Sequence, residues 1–212
     1  MSTQEPLYHH GNLRQALLDS SLAILRSEGI AALSLRRLAE HSGVSRGAPY
    51  HHFRDKQALL AAVGELGFAE LNKLLQTLVE DEQQPLRERL HQAVLGYLDF
   101  ATQQPELYAL MFGRTLWQSS NDVGTAEFQR YAKDCFRQYV HLFEQLDNSL
   151  GLPSLTHLRK AQLLWATLHG LAKLSSDGIF VKPEDLADIA LQALPPLSTI
   201  SSHPAEIGEM IR

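Results

Sequence analysis

The 212-residue sequence predicts an all-α protein of about nine helices, with a small N-terminal three-helix head and a larger helical body. Three observations carry this. Apolar residues recur at i, i+3, i+4 and i+7 through nearly every segment, the period of one buried helix face, and no segment alternates with the period of two that a half-buried strand requires. Three helical segments, the second and third of them short, fall within the first fifty or so residues, separated by Gly and Ser. Pro85, Pro105, Pro153, Pro183 and Pro195 fall at the boundaries between the long segments, where proline starts or stops a helix.

Element by element, the first helix begins at Asn12 as N-cap, turns Leu13, Ala16, Leu17, Ala23 and Ile24 inward, and ends before Gly29; residues 1–11 precede it as an arm. Ser34 caps a short second helix holding Leu38 and Ala39, Gly43 breaks it, and Ser45 caps a third through about His52. Asp55 caps a long fourth helix, whose Leu59, Leu60, Val63, Gly67, Leu71, Leu74, Leu75 and Leu78 form one stripe running from head into body. Pro85 sits in the first turn of a fifth, with Leu86, Leu90, Ala93, Val94, Tyr97, Leu98 and Ala101 on one side, and Pro105 starts a shorter sixth.

The pattern Phe128, Tyr131, Ala132, Cys135, Phe136, Tyr139, Val140, Phe143 and Leu146 describes a seventh helix over about 125–150, stopped by Gly151 and Pro153. An eighth covers about 155–176 through Leu158, Ala161, Leu164, Trp165, Leu168, Leu171 and Ala172, until Asp177-Gly178. Pro183-Glu184-Asp185 opens a ninth with acidic residues at its positive end and Leu186, Ile189, Ala190, Ala193 and Leu194 inside; Pro195-Pro196 halts it. The expected organisation is an arm and head over 1–56, with a helix-turn-helix at 33–52, a body over 57–196, and a loose tail over 197–212.

Composition narrows the class. Hydrophobic residues at 44% and charged residues at 20% suit a globular chain with a sizeable core. One cysteine, Cys135, excludes an intrachain disulfide and a structural zinc cluster, and its spacing suits core packing. The longest apolar runs stop short of the roughly 18 residues needed to span a bilayer, and no basic flank precedes an apolar core at the start, so the expected location is the cytoplasm, at the nucleoid, with no membrane partner. The net charge of −5 is unevenly spread: residues 1–56 hold seven Lys/Arg against five Asp/Glu, a net of +2, leaving twelve against nineteen, a net of −7, for the rest. A mildly basic head on an acidic body fits a protein that touches phosphate with one end only.

Within 33–52 a capped short helix, a Gly-Val-Ser turn and a second short helix follow one another, the order that presents a helix to the DNA major groove. Gly43 supplies the positive φ such a turn needs, and Val44 follows as an apolar plug. The outward residues are Ser45, Arg46, Tyr50, His51, His52 and Lys56, with Gly47 and Ala48 small enough to let the backbone approach bases. Arg46 can grip a guanine edge in a bidentate fashion, and Tyr50, Lys56, Arg36 and the Ser34 hydroxyl suit phosphate oxygens. His51 and His52 either hydrogen-bond the nucleic acid or form solvated surface; adjacent on a helix, they diverge by about 100° and do not share a metal. Neither metal nor cofactor is expected.

The run Leu33-Ser34-Leu35-Arg36-Arg37-Leu38-Ala39-Glu40-His41-Ser42-Gly43-Val44-Ser45-Arg46-Gly47-Ala48-Pro49-Tyr50-His51-His52-Phe53-Arg54-Asp55-Lys56 closely resembles the DNA-binding signature of the tetracycline-repressor family. The family's Ala, Gly-Val-Ser, Tyr-x-x-Phe and Lys elements fall on Ala39, Gly43 to Ser45, Tyr50 to Phe53 and Lys56, and the likeness extends over about residues 8–75. Pro49 departs from the usual apolar residue before the tyrosine, and Ser34 stands where threonine is commoner. The stretch Trp165-Ala166-Thr167-Leu168-His169-Gly170 resembles the Trp-x-x-x-His-Gly motif of one regulatory-domain subclass.

These resemblances imply a homodimeric repressor of double-stranded operator DNA, released by a small apolar or aromatic effector. Helices eight and nine would pair with their copies through Leu158, Leu164, Leu168, Leu171, Leu186, Ile189 and Ala193. The effector pocket would lie among helices four to eight, where Tyr97, Phe100, Tyr108, Met111, Phe112, Trp117, Phe128, Phe136, Tyr139, Trp165 and His169 either line it or pack as core. No Gly-rich phosphate loop, His-Glu-x-x-His or nucleophile elbow appears, so an enzyme is not expected; the rival reading is a helical interaction protein without sequence-specific DNA binding.

Overall fold

A computed structural model describes residues 13–117, 123–150, 157–179 and 181–192 of the chain. Among the described residues there is no strand, and the order is α1 (Leu13–Glu28), α2 (Leu35–His41), a 3₁₀ turn (Ala48–His51), α3 (Lys56–Glu80), α4 (Leu86–Gln103), α5 (Pro105–Phe112), α6 (Arg114–Trp117), α7 (Val123–Leu150), α8 (His157–Ser176), a second 3₁₀ turn (Pro183–Asp185) and α9 (Leu186–Gln192). The all-α expectation holds. No helix of the described residues is long and apolar enough to cross a membrane.

Three local expectations change. The third helix of the head is one 3₁₀ turn that starts after Gly47 without a side-chain cap, so Ser45 caps nothing. Pro49, at its start, lacks the N–H that a longer helix would use, and its carbonyl accepts from both His52 N (3.0 Å) and Phe53 N (2.9 Å), which tightens and ends the turn. In α1, Leu17, Leu18, Ser21, Ile24 and Leu25 are buried, while Ala16 and Ala23 are exposed. The helix turns its larger leucines inward because they remove more apolar area from water. Finally, α6 is a single unexpected turn, too short to leave a periodic trace. The Asn12 cap, Ala193 and Leu194 lie outside the described residues.

The described residues form two compact units, one within Met1–Lys73 and Gln103–Cys135, the other within Leu74–Thr102 and Phe136–Arg212. In the first, Leu17, Ile24, Leu33, Leu38, Leu59, Val63, Met111, Leu116 and Phe128 are fully buried. Gly64 is needed for this closeness: a Cβ there would stand 2.8 Å from the Phe128 ring. Gln104 ties the unit together, accepting from Arg26 at 3.0 Å and donating to Glu70 at 2.9 Å.

The second unit is built on Leu75, Val94, Tyr97, Tyr139, Leu142, Phe143, Ala161, Leu168 and Ala190, all fully or nearly fully buried. Its buried cation, Arg89, donates from one guanidinium nitrogen to the carbonyls of Leu78 (3.2 Å) and Val79 (2.9 Å) and to Gln145 Oε1 (2.9 Å). Those carbonyls close α3, so the guanidinium satisfies acceptors that the helix leaves open and sits at the negative end of its dipole.

Candidate nucleic-acid interface

The presenting segment is assembled from local rules. Ser34 is extended (φ −152°, ψ 155°) and its hydroxyl accepts from Arg37 N at 3.2 Å, starting α2, while Leu35, Leu38 and Ala39 turn inward. Gly43 takes φ +65°, the left-handed region where a side chain is strained, and Val44 N closes the turn on Ala39 O at 3.1 Å. Val44, expected as a plug, is half-buried. The plugs on the far side are Pro49 and Phe53, both buried, which anchor the 3₁₀ turn from below. Pro49 is thus a packing residue of the head. Asp55 accepts from Ala58 N at 2.8 Å and caps α3; that bond, with Arg54 beside it, holds its carboxyl below the usual range.

With Pro49 and Phe53 facing in, Ser45, Arg46, Gly47, Tyr50, His51 and His52 face solvent, and Tyr50 is 57% exposed; Ala48 is half-buried. Arg46 forms no hydrogen bond or ion pair with another described residue, so its full donor fork is available. Lys56 is exposed at the start of α3 and reaches Ala31 O at 3.4 Å, a long contact that a phosphate would readily replace. Arg36 is exposed and holds Glu40 one turn on at 3.1 Å.

Arg37 behaves differently. It grips Glu28 with two bonds, at 2.6 and 3.1 Å, fastening α2 to the end of α1 and keeping the Glu28 carboxyl below its ordinary range. Arg14 lies 5.7 Å from the centre of the Phe53 ring, a further link from α1 to the base of the turn. Among the described residues no group of three His, Cys, Asp or Glu is placed to hold a metal ion.

The expected pocket residues separate into two sets. In the first unit Tyr108 and Phe112 (4.8 Å between ring centres) and Trp117 and Phe128 (5.5 Å) join through Phe68, which touches Phe112 and Phe128 at 5.4 Å each. Met111 is buried there and its carbonyl accepts from the Trp117 indole at 2.8 Å. Phe68 was missed in the sequence, although it stands on the inward stripe of its helix four residues beyond Gly64. In the second unit Tyr97 packs on Tyr139 at 6.5 Å, Phe136 on Trp165 at 6.3 Å, and Trp165 stacks on His169 at 5.5 Å; Phe100 is buried. Burial, and secondarily the Lys173 charge, lowers the His169 pKa and favours the neutral ring.

The expected pairing residues also sort unevenly. Leu164, Leu168 and Leu186 are buried in the chain's own core, at 5% exposure or less, and so have no surface to offer a second copy. Leu171 is half-buried, whereas Leu158 and Ile189 are exposed; Ala193 lies outside the described residues. The largest exposed leucine of α8 is instead Leu163, at 71%, on the opposite side of that helix.

One titratable group escaped the sequence altogether. Glu65 of α3 is half-buried and its pKa is pushed up to about 7, first by burial and then by the Glu127 charge, against the pull of Arg14 and Arg130. Folded and unfolded chains both hold the proton at low pH. Between the ordinary carboxyl range and about pH 7 the unfolded chain releases it first, so this group weakens folding progressively as pH rises. Glu65→Gln is therefore expected to melt at a higher temperature than the parent at about pH 8, with the advantage shrinking towards about pH 5. Parallel melting profiles for the two proteins would show that Glu65 titrates normally.

Two family descriptions match the chain: "Bacterial regulatory proteins, tetR family" over residues 17–63, and "Tetracyclin repressor-like, C-terminal domain" over residues 90–194. The chain is 38% identical over 61 residues to the HTH-type transcriptional regulator AcrR of Shigella flexneri, covering 29% of this chain and 28% of that protein. It is 34% identical over 112 residues to the HTH-type transcriptional regulator BetI of Pectobacterium carotovorum, covering 50% and 54%. The chain thus spans about half or less of the length of these curated relatives. A solved structure of a protein of unknown function from Rhodococcus sp. RHA1 superposes with a TM-score of 0.76 at 31% identity, covering 90% of this chain and 97% of that one.

Proposed function

Because the chain belongs to the tetracycline-repressor (TetR) family of DNA-binding transcriptional regulators, we propose that it is a homodimeric repressor of a palindromic operator, released by a small apolar or aromatic effector. The observation that carries the reading is the outward face of the turn after Gly43. Four buried anchors, Leu38, Ala39, Pro49 and Phe53, hold a backbone from which Arg46, Tyr50, His51, His52 and Lys56 point to solvent.

In this reading residues 1–56 form the DNA-binding head, 57–196 the body and 197–212 a tail. Arg46 reads a base edge, Tyr50, Lys56, Arg36 and the Ser34 hydroxyl hold phosphates, and Gly47 and Ala48 let the backbone come close. The Ser34 oxygen accepts from Arg37 N while its own hydrogen remains free to donate to a phosphate. Two heads one helical turn apart, about 34 Å, require an approximately palindromic site. The aromatic sets around Phe128 and around Trp165 and His169 support an apolar or aromatic effector. Such a ligand releases DNA by preferring the arrangement whose heads no longer match the groove repeat, with α3 as the connecting element.

A mobility-shift assay on the DNA flanking the chain's own gene tests this. Retention of a palindromic fragment over a scrambled one, reversed by an aromatic ligand, is the expected result. No retention of any duplex at low salt would favour the reading as a helical interaction protein.

A further inference from the structure

The corner between α5 and α6 comes down beside the start of α3. Leu107 and Met111 of α5 lie against α3 at Gly67. The chain then runs towards the beginning of that helix, where Gln57 Nε2 donates to Thr115 O at 2.7 Å. Gln57 precedes Gly67 by ten residues, roughly 15 Å along the helix at about 1.5 Å per residue. Leu116 turns back to meet Gly64, and Trp117 rests on Phe128 at 5.5 Å, so Arg114 and Thr115 form the tip of the excursion. The corner needs glycine where it begins: Gly113 is extended (φ −73°, ψ 147°), and a Cβ there would stand 2.7 Å from Ala109 O.

The tip is anchored on one side and open on the other. Leu116 is fully buried beneath it, whereas Arg114 and Thr115 are both exposed. Arg114 forms no hydrogen bond or ion pair with another described residue. No acidic residue occurs between Glu106 and Asp122, or on α3 before Glu65. Asp55, just ahead of α3, is engaged by Ala58 N at 2.8 Å and by Arg54 at 2.9 Å. The anchor of the tip, Gln57, directly follows Lys56, so two exposed cations are brought to the same end of α3.

Resting on the DNA-binding reading above, we infer that Arg114 is a further phosphate contact, carried by the body beside Lys56, so that the nucleic-acid surface extends beyond residues 1–56 onto the α5–α6 corner. The corner belongs to the same compact unit as the head, so both cations meet the duplex as one surface. A guanidinium without an acceptor of its own gains a charge-assisted hydrogen bond from a phosphate oxygen. The exposed Thr115 hydroxyl beside it suits the same strand. Such a contact carries no base information, because phosphates are alike at every step of the duplex.

Binding titrations of the full chain on the duplex flanking its own gene and on a scrambled duplex, each at several salt concentrations, test this. Arg114→Ala is expected to bind both duplexes on the order of tenfold more weakly at low salt, and to lower the slope of log affinity against log salt by about one per copy of the chain. Arg114→Lys keeps a point charge and should retain most of the parent's affinity and slope, while Arg114→Glu should lose more than Arg114→Ala. Melting midpoints of all three variants should match the parent's, since the side chain is exposed and holds no partner. Arg114→Ala with the parent's affinity and salt slope would overturn the contact while leaving the repressor reading in place, as would a loss that is the same at every salt concentration. A parent that holds no duplex even at low salt would overturn both.

Discussion

Replacing Phe128 with alanine is expected to lower the stability of the chain by about 3–5 kcal/mol, the range for removing a large buried ring. The ring is fully buried and meets Phe68 and Trp117 edge-on, at 5.4 and 5.5 Å between centres. It also lies against α3 where Gly64 has no side chain to fill a void. Part of the loss comes from apolar area returned to water and part from the cavity left between α3 and the start of α7. Backbone relaxation offers little relief, since Leu116 and Met111 are buried beside it and Trp117 is fixed by its bond to the Met111 carbonyl. Urea unfolding should show a lower midpoint with an unchanged slope. A loss below about 1 kcal/mol would mean that the rings enclose space already loosely filled.

Arg46→Ala is expected to reduce discrimination between operator and unrelated duplex by about 1–3 kcal/mol, or roughly five- to 150-fold, while leaving non-specific affinity nearly intact. Arg46 stands exposed just ahead of the 3₁₀ turn with no competing partner among the described residues, so truncation leaves no buried group unpaired. Lys56→Ala should do the opposite. Its ammonium sits at the start of α3 near a backbone carbonyl; in the proposed reading it holds a phosphate, so its loss should weaken all duplexes alike and flatten the dependence on salt by about one ion. Binding titrations of both variants at several salt concentrations separate the two roles, and equal discrimination by the parent and Arg46→Ala would remove the base contact.

Much of the frame was legible because it depends on chemistry within a few residues. Ser34 and Asp55 cap helices through bonds to N–H groups three positions on, and Gly43 adopts the positive φ its place in the turn demands. The leucine stripe of α3 is buried nearly throughout for the same reason: one face of a long helix has one period. What could not be read depends on neighbours distant in sequence. Both sides of α8 carry leucine, and only packing decides that Leu164 and Leu168 turn inward while Leu163 stays in solvent. Glu65 carried no signal in the sequence, because its raised pKa comes first from burial and then from the charge of Glu127, some sixty residues away in the chain. Pro49 shows a different limit: its departure from the family pattern was visible, but whether the turn became a tilted α-helix or a tight 3₁₀ turn depended on the burial of Pro49 and Phe53 together.

The sequence also grouped eleven side chains into one expected pocket, because aromatic content carries no address. Tyr108, Met111, Phe112, Trp117 and Phe128 gather around Phe68 in one unit, whereas Phe100, the Tyr97–Tyr139 pair and the Phe136–Trp165–His169 group lie in the other. An effector could be assigned to either set by asking which rings change fluorescence on binding. Trp117 and Trp165, the two tryptophans of the chain, stand one in each set and make that assignment with single Trp→Phe variants.

The most direct test of the account is a hydroxyl-radical footprint of the full chain on its operator duplex. The proposed arrangement of two identical heads gives two protected patches on one face of the DNA, about 34 Å apart and related by a two-fold, both of which fade in Lys56→Ala. A single asymmetric patch, or protection unchanged by Lys56→Ala, would contradict it.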